Sequence, residues 1–307
     1  MTPGIRKPTL RVPVIGPFVV WCRHNWLVAP AVLYAILVTQ VPFILTIWYS
    51  LQRWYLLRPD LSGFNGLNNY LDIFQTSRFT NAILTSLVMT SSAVILSLVL
   101  GLIYAELVNV RFPGRAVVRT MLITPFLVMP VVTALAWKNE MFSPTQGLLD
   151  WLISPLGGRP VDWLASFPLQ SVIVVIVWRW SPFMMLILLA GMQAIGEDVR
   201  EAARVDGAGA WAEFRYIVLP ALKPYMQLCI LLGSVFIVNE FDSIYVLTFG
   251  GPGTATTNFA FLIYQNTFAA YDIGHSAAMA VIVVGITIVL VMFLLRLLGR
   301  LMEDNLQ

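Results

Sequence analysis

Charge is what this chain has least of. Asp, Glu, Lys and Arg make up 11% of its 307 residues while hydrophobic types make up 58%, where a soluble domain carries about a quarter charged. A water-soluble fold of this length would have too little polar surface, so the composition predicts a polytopic membrane protein. Cysteine is nearly absent, and Cys22 and Cys229 fall in different segments, which builds neither a disulfide framework nor a metal site. No GxxxxGKS/T phosphate loop occurs, so the chain is not itself a P-loop ATPase. The net charge of +3 is small and spread along the chain, which argues against nucleic acid as a partner. There is no low-complexity segment, no convincing internal repeat and no interdomain linker. The basic N-terminus passes Pro3, Pro8, Pro13 and Pro17 before any apolar stretch, and no small-residue cleavage site closes that stretch. No removable signal peptide is therefore expected.

What the chain does have is long apolar runs. A hydrocarbon core about 30 Å thick takes roughly 20 residues of helix, and six segments qualify: 26–51, 82–107, 117–137, 171–192, 225–248 and 276–298. Pro30, Pro42, Pro125, Pro130 and Pro182 sit inside them, which membrane helices tolerate better than soluble ones. The expected organisation is a cytoplasmic N-terminal segment, 1–25, and one transmembrane domain, 26–307.

Orientation follows from where Lys and Arg fall. With the N-terminus inside, the cytoplasmic side collects Arg6, Lys7, Arg11, Arg23, Arg111, Arg115, Arg119, Arg200, Arg204, Arg215, Lys223, Arg296 and Arg300. The outer side holds Arg53, Arg58, Arg78, Lys138 and Arg159, and Arg179 lies within a span. This excess places both termini and the 195–224 loop in the cytoplasm. His24 and His275 then lie on opposite sides and form no catalytic pair. Among the outer loops, 52–81 is rich in turn formers, Gly147–Ser154 reads as a short amphipathic stretch at the interface, and GGPGTATTN from Gly250 reads as a flexible polar turn.

The 195–224 loop interrupts the apolar runs with a segment that is charged and helix-like at once. Good helix formers with acids at the start predict a helix over Glu197–Val205. Gly207 and Gly209 allow a sharp turn. Trp211, Phe214 and Val218 then recur at spacings of three and four as one apolar stripe, and Pro220 and Pro224 end the helix where the next span starts. The loop is either a plain linker, an amphipathic helix on lipid, or a docking element for a protein. Glu197, Asp198, Glu201, Asp206 and Glu213 stand against Arg200, Arg204, Arg215 and Lys223, a net charge of −1. Anionic lipid attracts each basic residue by about 1 kcal/mol and repels acids similarly, so protein docking suits the loop better.

Glu201-Ala202-Ala203, Gly207, Ile217 and Leu219-Pro220 keep both spacings of the EAA motif, and the chain here resembles the binding-protein-dependent ABC importer permeases. Trp178-Arg179, Pro182-Phe183-Met184, Leu189-Ala190-Gly191, Phe241-Asp242, Ile244-Tyr245-Val246-Leu247-Thr248 and Gly250-Gly251-Pro252 are similar to blocks of the sugar and polyol branch, which includes the maltose permeases. The resemblance implies an all-α membrane protein of six transmembrane helices with both termini cytoplasmic, in the type I ABC importer permease fold. It also implies a heterodimer with a second permease, two ATPase subunits that hold ATP and Mg, and an external solute-binding protein. This chain would bind no cofactor and no metal and would carry no catalytic residue. Glu201, Ala202, Ala203, Asp206, Gly207, Trp211, Leu219 and Pro220 are the implied docking positions. Glu201 would pair with a basic group of the ATPase, Ala202 and Gly207 would permit close approach, and Pro220 would set the exit angle.

Arg179 falls near the middle of the fourth span, where a charge costs roughly 2.5–3.5 kcal/mol on insertion scales. It must face the interior and find a partner, for which Glu240 and Asp242 of the fifth span are the candidates. Two readings stay open: a structural ion pair between helices, or a sugar path lined by Arg179, Asn239, Glu240 and Asp242 with Trp137, Trp178 or Trp180 stacking on a ring. Two rival functions are a self-sufficient secondary transporter, which expects an inverted repeat, and a membrane scaffold or sensor without transport.

Overall fold

The structure, a computed structural model, describes residues 28–110, 112–156 and 160–303. The N-terminal segment 1–25, including Arg6, Lys7, Arg11, Cys22, Arg23 and His24, lies outside the described residues, as do Arg111 and Arg159. Among the described residues the regular structure is helical apart from one short strand pair. In order it forms α1 (Ala29–Ser50), β1 (Gln52–Arg53), β2 (Gly63–Phe64), α2 (Asn68–Gln75), α3 (Ser77–Asn109) and α4 (Arg115–Leu127). Then come α5 (Pro130–Met141), α6 (Leu148–Ile153), α7 (Trp163–Ser166), α8 (Pro168–Gln193), α9 (Glu197–Val205), α10 (Ala210–Ala221) and α11 (Lys223–Ile237). The last three are α12 (Asp242–Leu247), α13 (Phe259–Tyr264) and α14 (Ile273–Glu303).

Among the described residues four helices, α1, α3, α8 and α14, are long and apolar enough to cross a membrane, and the number rises to six if the bent pairs α4–α5 and α10–α11 each count as one span. The expected third span, 117–137, is thus not one straight rod. It breaks between Leu127 and Pro130 with a bend of 101°. The cause is local: Met129 precedes proline and is held extended (φ −55°, ψ 135°), because the proline ring disfavours helical backbone in the residue before it.

The fifth span, expected over 225–248, is also interrupted. Helix α11 ends at Ile237 and α12 begins at Asp242. Asn239 and Glu240 therefore lie in a break and Asp242 opens a second short helix, rather than all three riding on one span. The segment expected as a flexible polar turn is packed inside as well. Thr256, Thr257 and Asn258 are fully buried. Thr257 Oγ1 donates to the Gly250 carbonyl at 3.1 Å, and the Thr248 and Thr256 hydroxyls share a 2.6 Å bond. Asn258 Oδ1 accepts from the Phe261 amide at 2.9 Å, capping α13, and its Nδ2 donates to the Glu240 carbonyl. Non-helical backbone among apolar helices needs internal partners of this kind.

Helix α8 is the centre, with 72% of its apolar window buried, whereas α1 has none of its window buried and lies on the periphery against α14. Met184, Met185, Leu188 and Leu189 of α8 pack with Met89, Ala93 and Val94 of α3 in one core. The approach of these two helices is set at Gly101, where a Cβ would stand 2.8 Å from the Met184 Cβ and 2.9 Å from the Met185 amide. Small residues permit such backbone contact in membrane bundles. Gly101→Ala is therefore expected to destabilise the purified protein by about 1–3 kcal/mol, read as an earlier thermal unfolding transition in detergent. An unchanged transition would mean that the helices part at no cost.

The two ends of the bundle are distinct. At one end Glu106 and Asn109 of α3, Arg115 of α4, Gln193 of α8 and Arg200 of α9 line a common cavity. At the other end the strand pair, α2 and the start of α14 meet. The Leu56 amide donates to the Tyr271 carbonyl at 3.0 Å, and Asn69 Nδ2 donates to the Ser50 and Gln52 carbonyls at 2.8 Å. His275 sits at this second end, its Nδ1 2.8 Å from Asp272 Oδ2. Gly147–Ser154 contains the short helix α6, with Trp151 exposed.

Candidate functional site

The segment from Ile195 to Pro224 forms two short helical arms. The first, α9, spans the expected Glu197–Val205, with Glu197 and Asp198 in its first turn and Arg204 in its last, the charge order that the helix dipole favours. The turn rests on Gly207 alone. Gly207 has φ +85°, a left-handed conformation that glycine adopts without strain, whereas Gly209 has an ordinary φ of −73°. A Cβ at Gly207 would meet nothing within 4 Å in this chain, so the space beside it is open to a partner.

The second arm, α10, contains a π-type stretch over Phe214–Val218, which rotates its face. The expected stripe of Trp211, Phe214 and Val218 consequently does not face one way. Val218 is buried, Phe214 is half-buried with its ring 5.8 Å from that of Trp211, and Trp211 is 74% exposed. The arm leaves at a 60° bend to α11. Pro224 has no N–H to give the Pro220 carbonyl, which ends the helix there.

Glu201, Ala202, Asp206 and Gly207 are exposed, Ala203 and Leu219 are half-buried and Pro220 is exposed. Sequence reading missed Val205, an apolar side chain 87% exposed at the end of α9. It also missed Glu213, which is buried and bridged by Arg200 and Arg204. Its charge was counted in the sequence, but nothing in the local spacing announced that folding buries it. Among the described residues Glu201 makes no ion pair, although its arm is held rigidly.

A second set of polar residues lies inside the bundle. Arg179 on α8 and Glu240 in the α11–α12 break form a buried ion pair, with exposures of 7% and 6%. Glu240 Oε1 also accepts from the Ser243 amide at 3.3 Å and the Ser243 hydroxyl at 2.7 Å, so the same carboxylate caps the start of α12. Of the two candidate partners for Arg179, the structure selects Glu240. Asp242 is half-buried and, among the described residues, makes no ion pair. Asn239 is exposed, and its Nδ2 donates to the Val235 carbonyl at 3.0 Å.

Trp137 and Trp178 meet edge to face at 5.8 Å. Trp180 is separate: its ring stacks on Phe236 at 5.7 Å with Phe126 and Phe183 near it, so its faces are occupied by protein. An aromatic row unnoticed in the sequence runs from the break itself. Phe241 stacks on Tyr245 at 5.4 Å and approaches Tyr264 at 5.1 Å, and Tyr245 approaches Phe249 at 5.3 Å. Phe241, Tyr245 and Phe249 keep a helical spacing of four that was there to be read, whereas Tyr264 joins them from α13 and only folding brings it in. Among the described residues no cluster of His, Cys, Asp and Glu could hold a metal ion.

This arrangement has known counterparts. The profile of the family described as binding-protein-dependent transport system inner membrane component matches residues 97–304, from the middle of α3 to the end of α14. The chain belongs to that family. It is 37% identical over 257 residues to a probable ABC transporter permease protein, y4oQ, of Sinorhizobium fredii, covering 83% of each chain. It is 36% identical over 245 residues to the trehalose/maltose transport system permease protein MalF of Thermococcus litoralis, covering 79% of this chain and 82% of the relative. In structure it is similar to a chain of a bacterial ABC transporter that imports the acidic polysaccharide alginate, with a TM-score of 0.78 over 92% of this chain and 98% of the other, at 21% identity. That likeness shows a shared helical fold.

Proposed function

We propose that this family member is one transmembrane subunit of an ATP-driven importer for a sugar, a polyol or a sugar derivative. In this reading the Ile195–Pro224 loop faces the cytoplasm and seats in a cleft of an ATPase subunit. Two such ATPases hold ATP and Mg, a second and different permease completes the membrane pore, and an external solute-binding protein delivers the substrate. ATP hydrolysis belongs to the partner chains. The observation that carries the reading is the shape of the loop: two short arms at an angle, with Glu201, Val205, Gly207 and Trp211 exposed. An apolar pair exposed on a mixed-charge loop suits a protein groove, because a tryptophan left in water gives up the burial that a cleft supplies. The bare apolar surface of α1 supports a position against lipid or the second permease.

The carbohydrate assignment is supported by the trehalose/maltose relative and by the interior. The Trp137–Trp178 pair and the Phe241–Tyr245–Tyr264 row offer flat faces for sugar rings, and Asn239 and Asp242 offer hydrogen-bonding groups beside them in sequence. The Arg179–Glu240 pair sits behind these as a brace that positions the break. Co-expression with the ATPase, second permease and binding protein, followed by purification on a tag carried by this chain, tests the proposal. The expected result is recovery of the ATPase and ATP hydrolysis that rises when binding protein and its sugar are added together. A complex that hydrolyses ATP at one rate whatever solute is supplied would defeat the substrate assignment.

A further inference from the structure

We propose that Glu213 is a positioning residue of the docking loop, fixing the angle between its two arms through Arg200 and Arg204 and linking the loop through Arg200 to Glu106 on α3. The proposal rests on the docking role given above and names the device that makes the loop stiff enough to transmit motion. Glu213 stands on α10, yet it is only 8% exposed. Both of its neutralising cations come from α9. Arg204 grips the two carboxylate oxygens, Nε at 3.1 Å from Oε2 and Nη2 at 3.4 Å from Oε1, and Arg200 Nη1 lies 3.5 Å from Oε1. Along the chain the arms are joined by the four-residue turn 206–209, whose Gly207 would bend freely. A forked guanidinium on a carboxylate fixes direction as well as distance, so the ion pairs supply the rigidity that the turn lacks.

Arg200 reaches further. Its second terminal nitrogen, Nη2, is buried and has no hydrogen-bond partner among the described residues. Arg200 lines a cavity of about 620 Å³ together with Glu106 of α3, Arg115 of α4, and Glu197 and Arg204 of α9. The Glu106 carboxyl is within electrostatic reach of both Arg200 and Glu213. Arg200 thus contacts one carboxylate, on the docking loop, and shares a cavity with a second, on a membrane helix. A shift of the loop that narrows the cavity brings the spare nitrogen toward Glu106, so loop movement is passed to α3 by redistribution of an existing charge contact rather than by breaking one.

The test uses the full transporter in vesicles and reads sugar transported per ATP hydrolysed. With Glu213→Gln the ATPase is expected to remain bound while this ratio falls about tenfold, and Glu213→Asp is expected to keep most of it. Arg204→Met removes two of the three contacts at a side chain that is largely exposed, so it is expected to fold even if Glu213→Gln does not, and to uncouple in the same way. A wild-type ratio in assembled Arg204→Met or Glu213→Gln complexes overturns the positioning role. Failure of even the wild-type chain to bind an ATPase would instead overturn the docking reading on which the role depends.

Discussion

Glu201→Lys leaves the permease in the membrane and abolishes transport. Glu201 is exposed, is in no ion pair among the described residues, and lies on an arm whose shape is held by other charges. Reversing it therefore disturbs little within the chain. In the proposed complex it faces a basic group of the ATPase in a desolvated cleft. Disrupting one partner of such a pair costs roughly 2–5 kcal/mol, about 30- to several-thousand-fold in affinity, and a lysine adds repulsion. Gly207→Leu acts by a second route. The position has φ +85° with no neighbour within 4 Å, so a side chain meets no clash in the free loop but is strained by roughly 1–2 kcal/mol and fills the space reserved for the partner. Membrane fractionation with sugar uptake reads both variants. Normal uptake in either one, at normal abundance, would remove its residue from the docking surface.

Arg179→Ala and Glu240→Ala are each expected to strip the protein from the membrane or leave it aggregating in mild detergent. Each leaves a buried charge without its counter-ion, which costs about 3–5 kcal/mol, whereas replacing both charges by apolar groups of similar volume is often neutral or stabilising. Arg179→Met with Glu240→Leu is accordingly expected to recover much of the assembly. Glu240 additionally holds the Ser243 amide and hydroxyl, so the recovered double variant keeps a loosened start to α12. Size-exclusion profiles report assembly, and sugar affinity of the assembled transporter separates bracing from substrate contact. If the double variant assembles and its affinity is unchanged, the pair braces the break. If single variants assemble normally with altered affinity, the pair lines the path instead.

The apolar runs made the membrane spans legible, and the spacing from Glu201 to Pro220 made the loop legible, down to the bounds of α9. What the sequence concealed has physical causes. The break at Met129 depends on how strongly Pro130 acts in a run apolar enough to pass as one helix. At the break around Glu240 the carboxylate is held by Arg179, 61 residues away, and a pairing over that distance leaves no periodic trace. The GGPGTATTN segment has the composition of a surface turn, yet its polar groups satisfy one another inside the bundle. Trp211, Phe214 and Val218 fit a helical stripe until the π-type stretch turns Trp211 outward. Glu213 was counted as one charge of the loop among others, and only folding puts Arg200 and Arg204 on it.

The central claim is that the Ile195–Pro224 loop is a cytoplasmic seat for an ATPase, and Val205 offers the most direct measurement. It is 87% exposed at the end of α9, and Val205→Cys can be labelled with a membrane-impermeant maleimide after Cys22→Ser, since Cys229 is buried. In inside-out vesicles stripped of ATPase the cysteine is predicted to label rapidly, in right-side-out vesicles not at all, and after rebinding of the ATPase the labelling is predicted to be blocked. Labelling from the outer face, or labelling that the bound ATPase leaves unchanged, would contradict the account.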